Sequence, residues 1–585
     1  MGYDLKIVNG LVYDGSGAEG RRADLGIRDG KIVAIGACPE VAARVIDAEG
    51  AAVTPGFVDI HCHYDGQVSW DGDLAPSSLH GVTTCIIGNC GVGFAPVRPG
   101  DRDTLVALME GVEDIPGSAL AEGLKWDWES FPEYIDAIDR VPHTLDVGLQ
   151  VPHDALRLYV MGKRAVAQEQ ATDDEIATMR ALVRDALAAG AVGFSTGRSD
   201  NHRARDGSAT PASEATAREL GGIAEAFAGF DHGVLQAVSD FDMASGPDRF
   251  DLEFDILETM AERAPGHTLS ISLLQRDMEA DQWQRILRRV ERGNAAGMPM
   301  RVQVAPRAIG VILGLEATFH PFMGFPTYKK VAHLPLAERV SAMRRADFKA
   351  QLLSEKTDAL AGDGSPIPPL ADALLANIGM VAMRLFRLEN TPKYEPTMAE
   401  SLAAEALARD VGALEALYDA LLEDEGRQLL YFPLYNYTEF NLDNVGKMLS
   451  HPLSLVGLSD GGAHVGTVCD ASFPTFLLSY WARDRVSGRL RFADAVKRLT
   501  HDNARFLGLR DRGTVALGQR ADLNILDPAR LGLLRPRLER DLPAGGKRFL
   551  QDAVGYRATL VAGEVIAQDG RLTGARPGRV LRMGR

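Results

Sequence analysis

The sequence predicts an α/β protein: a (β/α)8 TIM-type barrel, a small β-sandwich domain built from both chain ends, and a helical insertion between the seventh and eighth barrel strands. Three observations predict it. Eight apolar runs of strand length (Val53–His61, Val82–Cys90, Leu145–His153, Ala191–Gly197, Gly233–Asp240, Thr268–Gln275, Met300–Pro306 and Leu453–Asp460) are separated by helix-length segments. Eight parallel strands with crossover helices close into a barrel. Both chain ends read as short strands with no helical period, and the stretch of about 310–430 is too long for a structureless loop.

Taken in order, Leu5-Lys6-Ile7-Val8-Asn9-Gly10 and Lys31-Ile32-Val33-Ala34-Ile35-Gly36 are apolar alternations ended by glycine, and Asp29-Gly30 is a hairpin signal. The same style returns at Gly513-Thr514-Val515, in the run from Ala521 to Leu526 and in the run from Ala558 to Ile566. Residues 1–54 plus 505–585 are therefore expected to form one β domain, and 55–504 the barrel. Asp173-Asp174-Glu175 opens a helix that continues through Met179, Leu182, Val183 and Leu187 at helical spacing and stops at Gly190. Two stretches exceed a minimal barrel. One is 100–140, with Trp126 and Trp128; the other is 310–430, with helical patterns around 336–356 and 396–425. Barrel active sites lie at the C-terminal ends of the strands, so the second stretch is expected to cover the mouth.

Apolar residues make up 46% of the 585 and charged residues 24%, the balance of a soluble globular protein. The formal net charge is −17 with no basic cluster, which excludes nucleic acid and anionic membrane surfaces as expected partners. No apolar run approaches a membrane span, and the first residues lack a signal-peptide core. Five cysteines without paired spacing point to a reducing cytoplasm rather than a disulfide framework.

The chemistry-bearing residues cluster where the runs end. His61 and His63 end the first run in Gly56-Phe57-Val58-Asp59-Ile60-His61-Cys62-His63; alternation points both one way and turns Cys62 aside. Two converging imidazoles make half a metal site, whereas a bare pair of this spacing also occurs on polar loops. Asp460 ends the eighth run, beside the first in a closed barrel. It can bind metal and carry a proton, or cap a helix. Cys90, between small residues at the end of the second run, is a candidate thiolate ligand or a buried small hydrophobe. Cys85 is read as core. His153 ends the third run and is a candidate catalytic electrophile or a structural histidine. Arg198 and Arg307 follow the fourth and seventh runs. They are candidates for a substrate carboxylate, or rim ion pairs. Tyr435 and Tyr437 precede the eighth run as candidate pocket residues, and His464 as a partner behind Asp460.

The segments PGFVDIHCHYD at 55–65, HGVTTCIIGNCGVGFAP at 80–96, GFSTG at 193–197, LSDGGAH at 458–464 and GTVALGQRADLNILDP at 513–528 resemble the amidohydrolase superfamily of metal-dependent hydrolases. The resemblance is nearest to its N-acyl-D-amino-acid deacylase (D-aminoacylase) branch. It implies that Cys90 is a metal ligand. It also implies a histidine from each of the fifth and sixth strands, and here this chain departs: Val234–Asp240 and Leu269–Gln275 contain none, and His232 and His267 stand before the strands. The expectation is accordingly one tightly bound zinc held by His61, His63, Cys90 and Asp460, with Gln236, Ser239, Asp240 and Gln275 as polar substrate contacts.

The expected function is hydrolysis of the amide bond of an N-acyl amino acid, an N-acyl-D-amino acid first, with Asp460 as general base and then acid. The missing histidines keep two other readings open: a hydrolase of a cyclic amide or lactone, and a ligand-binding barrel that has lost hydrolysis. The expected partner is a small-molecule N-acyl substrate; a homo-oligomer is left open.

Overall fold

The computed structural model of the chain describes residues 2–242, 246–360, 372, 374 and 377–584. Eight parallel strands lie in one sheet in chain order: Phe57–Asp59, Val82–Ile87, Asp146–Pro152, Gly193–Arg198, Val234–Ser239, Leu269–Leu273, Met300–Val304 and Ser454–Val456. Seven fall inside an expected run, and the fourth overruns its run, Ala191–Gly197, by one residue at Arg198. They are buried on both faces almost throughout, which is why they read as continuous apolar stretches rather than alternations. The first run needs a correction. It is two strands, Ala52–Pro55 in the terminal sheet and Phe57–Asp59 in the barrel. The break is at Gly56, where a Cβ would sit 2.2 Å from Thr83 Oγ1, so only glycine lets the chain pass between the two sheets.

The barrel closes without a regular ladder between its first and eighth strands. Individual bonds do the work instead: Asp460 N to His61 O at 3.1 Å, His63 N to Gly461 O at 2.7 Å, and an isolated parallel bridge between Cys62 and Gly461. Ser459 Oγ donates to Asp59 Oδ2 at 2.5 Å. Below them, the buried Asn503 amide donates to Val58 O at 2.8 Å and Val456 O at 2.9 Å, bracing the two strands.

Both chain ends enter one nine-stranded sheet. Its junction is the antiparallel pairing of Ala52–Pro55 with Leu523–Leu526, and its far edge returns through the Lys31–Arg520 bridge. The sheet thereby curls around one apolar interior containing Ile7, Leu25, Val53, Leu523, Ile525 and Leu560. A buried ionic latch ties it to the barrel: Arg512 and Arg520 donate to Asp146 Oδ2 and Oδ1 at 2.6 and 3.0 Å. The last described residues leave the sheet. Leu581 N bonds Val147 O, Met583 N bonds Gly190 O, and both side chains plug the barrel floor with Val58, Ile86, Val192 and Leu455.

The helix Asp173–Ala189 has the expected ends, a Thr172–Glu175 capping box and Gly190 in the left-handed region. The insertion after the seventh strand holds the expected helices, among them Leu336–Met343, Ala346–Ser354, Leu402–Arg409 and Ala413–Leu421. Positions 361–371, 373, 375 and 376 of that stretch lie outside the described residues. The insertion also holds something the sequence reading missed, an antiparallel sheet of Ile309–Leu313, Leu429–Tyr435 and Phe386–Leu388. Strands of three to seven residues, the first and second far apart in the chain, leave too little period to read. Among the described residues no helix is long and apolar enough to cross a membrane.

Removing the Asn503 brace leaves two buried carbonyls unsatisfied. Asn503→Ala is expected to cost on the order of 2–4 kcal/mol. A urea titration followed by intrinsic fluorescence checks it; an unchanged midpoint would show that the brace carries no stability.

Candidate active site

His61 and His63 follow the first barrel strand, buried, with ring centroids 5.3 Å apart. His61 Nε2 lies 3.2 Å from Cys90 Sγ and 3.5 Å from Asp460 Oδ1, and His63 Nε2 lies 3.7 Å from the same oxygen. One ligand atom from each of His61, His63 and Cys90 falls within 4.8 Å of the other two. Cys62 is turned away, with Sγ 3.6 Å from Ser459 Oγ, and Cys85 is buried in the barrel core.

Backbone geometry places the other two groups. Cys90 and Asp460 both sit at positive φ, 55° and 48°. For non-glycine residues this is a sparsely populated region, held here by specific bonds. Cys90 N donates to Gln236 Oε1 at 2.7 Å, and Asp460 N to His61 O. The glycine after Cys90 is required by close approach, since a Cβ on Gly91 would lie 2.7 Å from Gly197 N.

Each imidazole has a polar neighbour behind it, and that of His61 is a hydrogen bond. Gln303 Oε1 accepts from His61 Nδ1 at 2.6 Å, while Gln303 Nε2 donates to Ser270 Oγ, which fixes the amide. His61 Nδ1 therefore carries the proton and Nε2 presents its lone pair to Cys90 and Asp460. Behind His63 stands Glu113, the last residue of the helix Arg102–Glu113, with Oε1 3.2 Å from Nδ1. Its Oε2 lies 3.8 Å from His464 Nε2. The sequence reading missed Glu113; nothing local distinguishes it from any other glutamate at a helix end.

Burial drives the electrostatics. It lowers the His61 pKa to about 4 and that of His63 well below the usual range, so both imidazoles are neutral, the ligating form. Burial first, then mutual repulsion with neighbouring acids, raises Cys90, Glu113 and Asp460 well above their ordinary values. Three crowded acids beside two neutral imidazoles are costly alone and favourable around a cation. A thiol, two imidazole nitrogens and a carboxylate form a donor set that fits a divalent ion such as zinc.

From these groups a cavity of about 320 Å³ opens toward the insertion. The fifth and sixth strands meet it with Val238 and Ser272, and the residue after the sixth with Leu274, so neither strand brings a histidine to it. Tyr435, His202, Arg203, Arg276 and His464 also line it. Tyr435 accepts from Asn201 Nδ2 at 3.1 Å. The strand-four loop thus reaches the cavity, through residues for which the sequence reading had proposed no role.

Other expected site residues are placed elsewhere. His153 is buried between Thr196 Oγ1 and Glu219 Oε1, at 2.9 and 3.0 Å, outside the cavity lining. Arg198 forms a fork on Glu253, at 2.9 and 3.0 Å. Arg307 is buried against Asp470 at 2.7 Å and stacks 3.7 Å from the Tyr394 ring centroid. Gln236 supports Cys90, and Gln275 donates to Glu439. Tyr437 is buried and donates to Pro396 O. Of the two readings open for these arginines, a substrate carboxylate or an ion pair, the structure shows the ion pair for both, because a buried guanidinium needs a charged partner and the protein supplies one.

Glu113→Gln keeps the shape but removes the charge behind His63. Loss of an outer partner of a ligating histidine costs roughly 10–100-fold in metal affinity. Chelator competition for Zn²⁺ is expected to show that loss with the circular dichroism spectrum unchanged; equal affinity would mean Glu113 does not support the site.

Three comparisons agree with this architecture. A model described as the amidohydrolase family matches residues 44–567. The D-aminoacylase of Alcaligenes xylosoxydans xylosoxydans is 27% identical over 583 residues, covering 99% of this chain and 97% of that protein. The N-acyl-D-glutamate deacylase of the same organism is 37% identical over 196 residues, 33% of this chain and 37% of that protein. Among solved structures, an N-acyl-D-glutamate deacylase from Bordetella bronchiseptica, complexed with zinc and a phosphonate mimic of the tetrahedral intermediate, superposes with a TM-score of 0.63. It is 25% identical, with full coverage of both chains. A D-aminoacylase structure gives 0.64 at 22% identity, covering 99% of this chain and all of that one, which speaks to the fold alone. By the match of the family model across most of its length, and by its likeness to D-aminoacylases and N-acyl-D-amino-acid deacylases, the chain belongs to the amidohydrolase family.

Proposed function

We propose that this chain hydrolyses the amide bond of N-acyl amino acids, N-acyl-D-amino acids first, at a site holding one tightly bound zinc. The observation that carries the reading is the convergence of His61, His63, Cys90 and Asp460 at the barrel mouth. The relatives support the bond type: they are named D-aminoacylase, N-acyl-D-aspartate deacylase and N-acyl-D-glutamate deacylase. A solved D-aminoacylase is described as having a binuclear metal centre. One ion is proposed here because Val238 of the fifth strand and Leu274, just after the sixth, face the cavity. A reducing cytoplasm is the proposed location, in keeping with five free, buried cysteines.

His61, His63 and Cys90 would hold the ion through Nε2, Nε2 and Sγ. When bound, a divalent ion polarises a carbonyl and lowers the pKa of water. The chain's own residues do the rest. Asp460 takes the proton of the attacking water and returns it to the leaving amine nitrogen; it reaches both His61 and His63 Nε2 and is the carboxylate of the set that lines the cavity. Gln303 keeps the His61 imidazole oriented, and the Glu113 carboxylate stands 3.2 Å behind His63 Nδ1. Arg276 lines the cavity beside Tyr435; its guanidinium donates to the neutral acceptors Gln282 Oε1 and Ser239 O, which leaves its charge for the substrate carboxylate. Leu274 and Val238 keep bulk water from the neighbouring wall.

Asp460→Asn retains an oxygen ligand but takes up no proton at neutral pH. It is expected to keep the fold and most of the bound zinc and to lose at least about 10²-fold in kcat, with a smaller change in KM. Steady-state assays on a panel of N-acyl-D- and N-acyl-L-amino acids measure this. Near-normal turnover by the variant would place the general base elsewhere, and no turnover of any panel member by the zinc-loaded wild type would contradict the deacylase reading itself.

A further inference from the structure

The cavity has two chemically different ends. One carries the histidines, Cys90, Asp460 and Arg276. The other is a wall supplied by the insertion: the ribbon of Ile309–Leu313 and Leu429–Tyr435 presents Ile309, Val311, Leu313, Phe432 and Leu434 to the cavity. Alternation along each strand puts these residues on one face. The opposite face is spent on packing: Tyr431 lies across Gly310, where a Cβ would be 2.1 Å from its ring, and Tyr431 Oη donates to Ala308 O. Ile309, Val311 and Leu434 are only partly buried. Each packs partly against a core cluster and leaves the rest of its apolar surface to the cavity, as a wall that contacts ligand does.

The ribbon has direction. It starts at the barrel rim, where Ile309 pairs with Tyr435, and runs to Leu313, paired with Leu430. Four residue steps at the usual strand rise make a stripe on the order of 13 Å. That is longer than the side chain of any amino acid. In an N-acyl amino acid the carboxylate and side chain share one carbon beyond the scissile nitrogen, whereas the acyl chain leaves from the carbonyl carbon. Arg276, whose guanidinium donates to Gln282 Oε1 and Ser239 O and lies 5.9 Å from the Tyr435 ring centroid, is the carboxylate end under the deacylase reading. The long stripe remains for the acyl group.

Resting on the deacylase reading above, we propose that the ribbon face is an acyl-chain subsite and that the substrates are amphiphilic: amino acids N-acylated with an unbranched hydrocarbon chain of roughly six to ten carbons, a length set by the stripe. The charged head meets Arg276 and the apolar tail lies along Val311 and Leu434.

The test is a series of acetyl, butanoyl, hexanoyl and octanoyl derivatives of one amino acid. Each methylene moved from water to an apolar wall favours binding roughly three- to fourfold, so kcat/KM is expected to rise at least about 10²-fold from acetyl to octanoyl. Val311→Asn and Leu434→Asn, made separately so that one misfolded variant does not decide the matter, are each expected to cut the octanoyl-to-acetyl ratio by roughly tenfold. A flat or falling series in the wild type overturns the subsite. Calorimetry of the zinc-loaded Asp460→Asn protein with N-octanoyl and N-acetyl amino acids separates this proposal from the deacylase reading. Tighter octanoyl binding without turnover of any compound by the wild type would keep the subsite and remove the activity. Equal affinities would overturn the subsite whatever the activity.

Discussion

Everything at the active site depends on how the barrel closes. Between the first and eighth strands there is no ladder to fix spacing, so single bonds do it: Ser459 to Asp59, Asp460 N to His61 O, His63 N to Gly461 O. A regular ladder would have kept both chains extended. The loose seam instead lets Leu458 and Asp460 adopt positive φ, and Asp460 turns its carboxylate toward both imidazoles. Asn503 braces the same seam lower down. Strained backbone at Asp460 and Cys90 persists because neighbouring donors and acceptors over-determine it, the usual reason such residues survive at working sites.

Around that seam the protein has assembled charge that favours a cation. The imidazoles are kept neutral by burial; Gln303 orients His61 through a hydrogen bond, and the Glu113 carboxylate stands beside His63. Cys90, Asp460 and Glu113 supply negative charge when ionised, and burial makes each of them resist ionisation unless a positive partner is present. The fifth strand contributes Gln236 as a backbone anchor for Cys90, and Val238, with Leu274 just after the sixth strand, as apolar wall. The side of the barrel where the family resemblance placed histidines has thus become support and lining in this chain.

The barrel was legible because its strands are buried on both faces and separated by helix-length segments; the eight runs needed no partner to be recognised. His61, His63, Cys90 and Asp460 were legible because each ends such a run, and chain position alone puts run ends at one rim. What the sequence hid depended on distant partners. The split at Gly56 is set by Thr83. Arg198 is claimed by Glu253, Arg307 by Asp470, and His153 by Glu219, none adjacent in the chain. Glu113 acquires its role only because its helix end reaches His63, fifty residues earlier. The ribbon of the insertion was hidden because its strands pair across more than a hundred intervening residues, many of them helical.

The central claim is that one ion sits between His61, His63, Cys90 and Asp460. Zinc K-edge X-ray absorption on the purified protein, with elemental analysis of the same sample, tests it most directly. The account predicts close to one zinc per chain, with a single sulfur at about 2.3 Å and nitrogen or oxygen neighbours at about 2.0–2.2 Å. Two zinc ions per chain, or a coordination shell without sulfur, would contradict it.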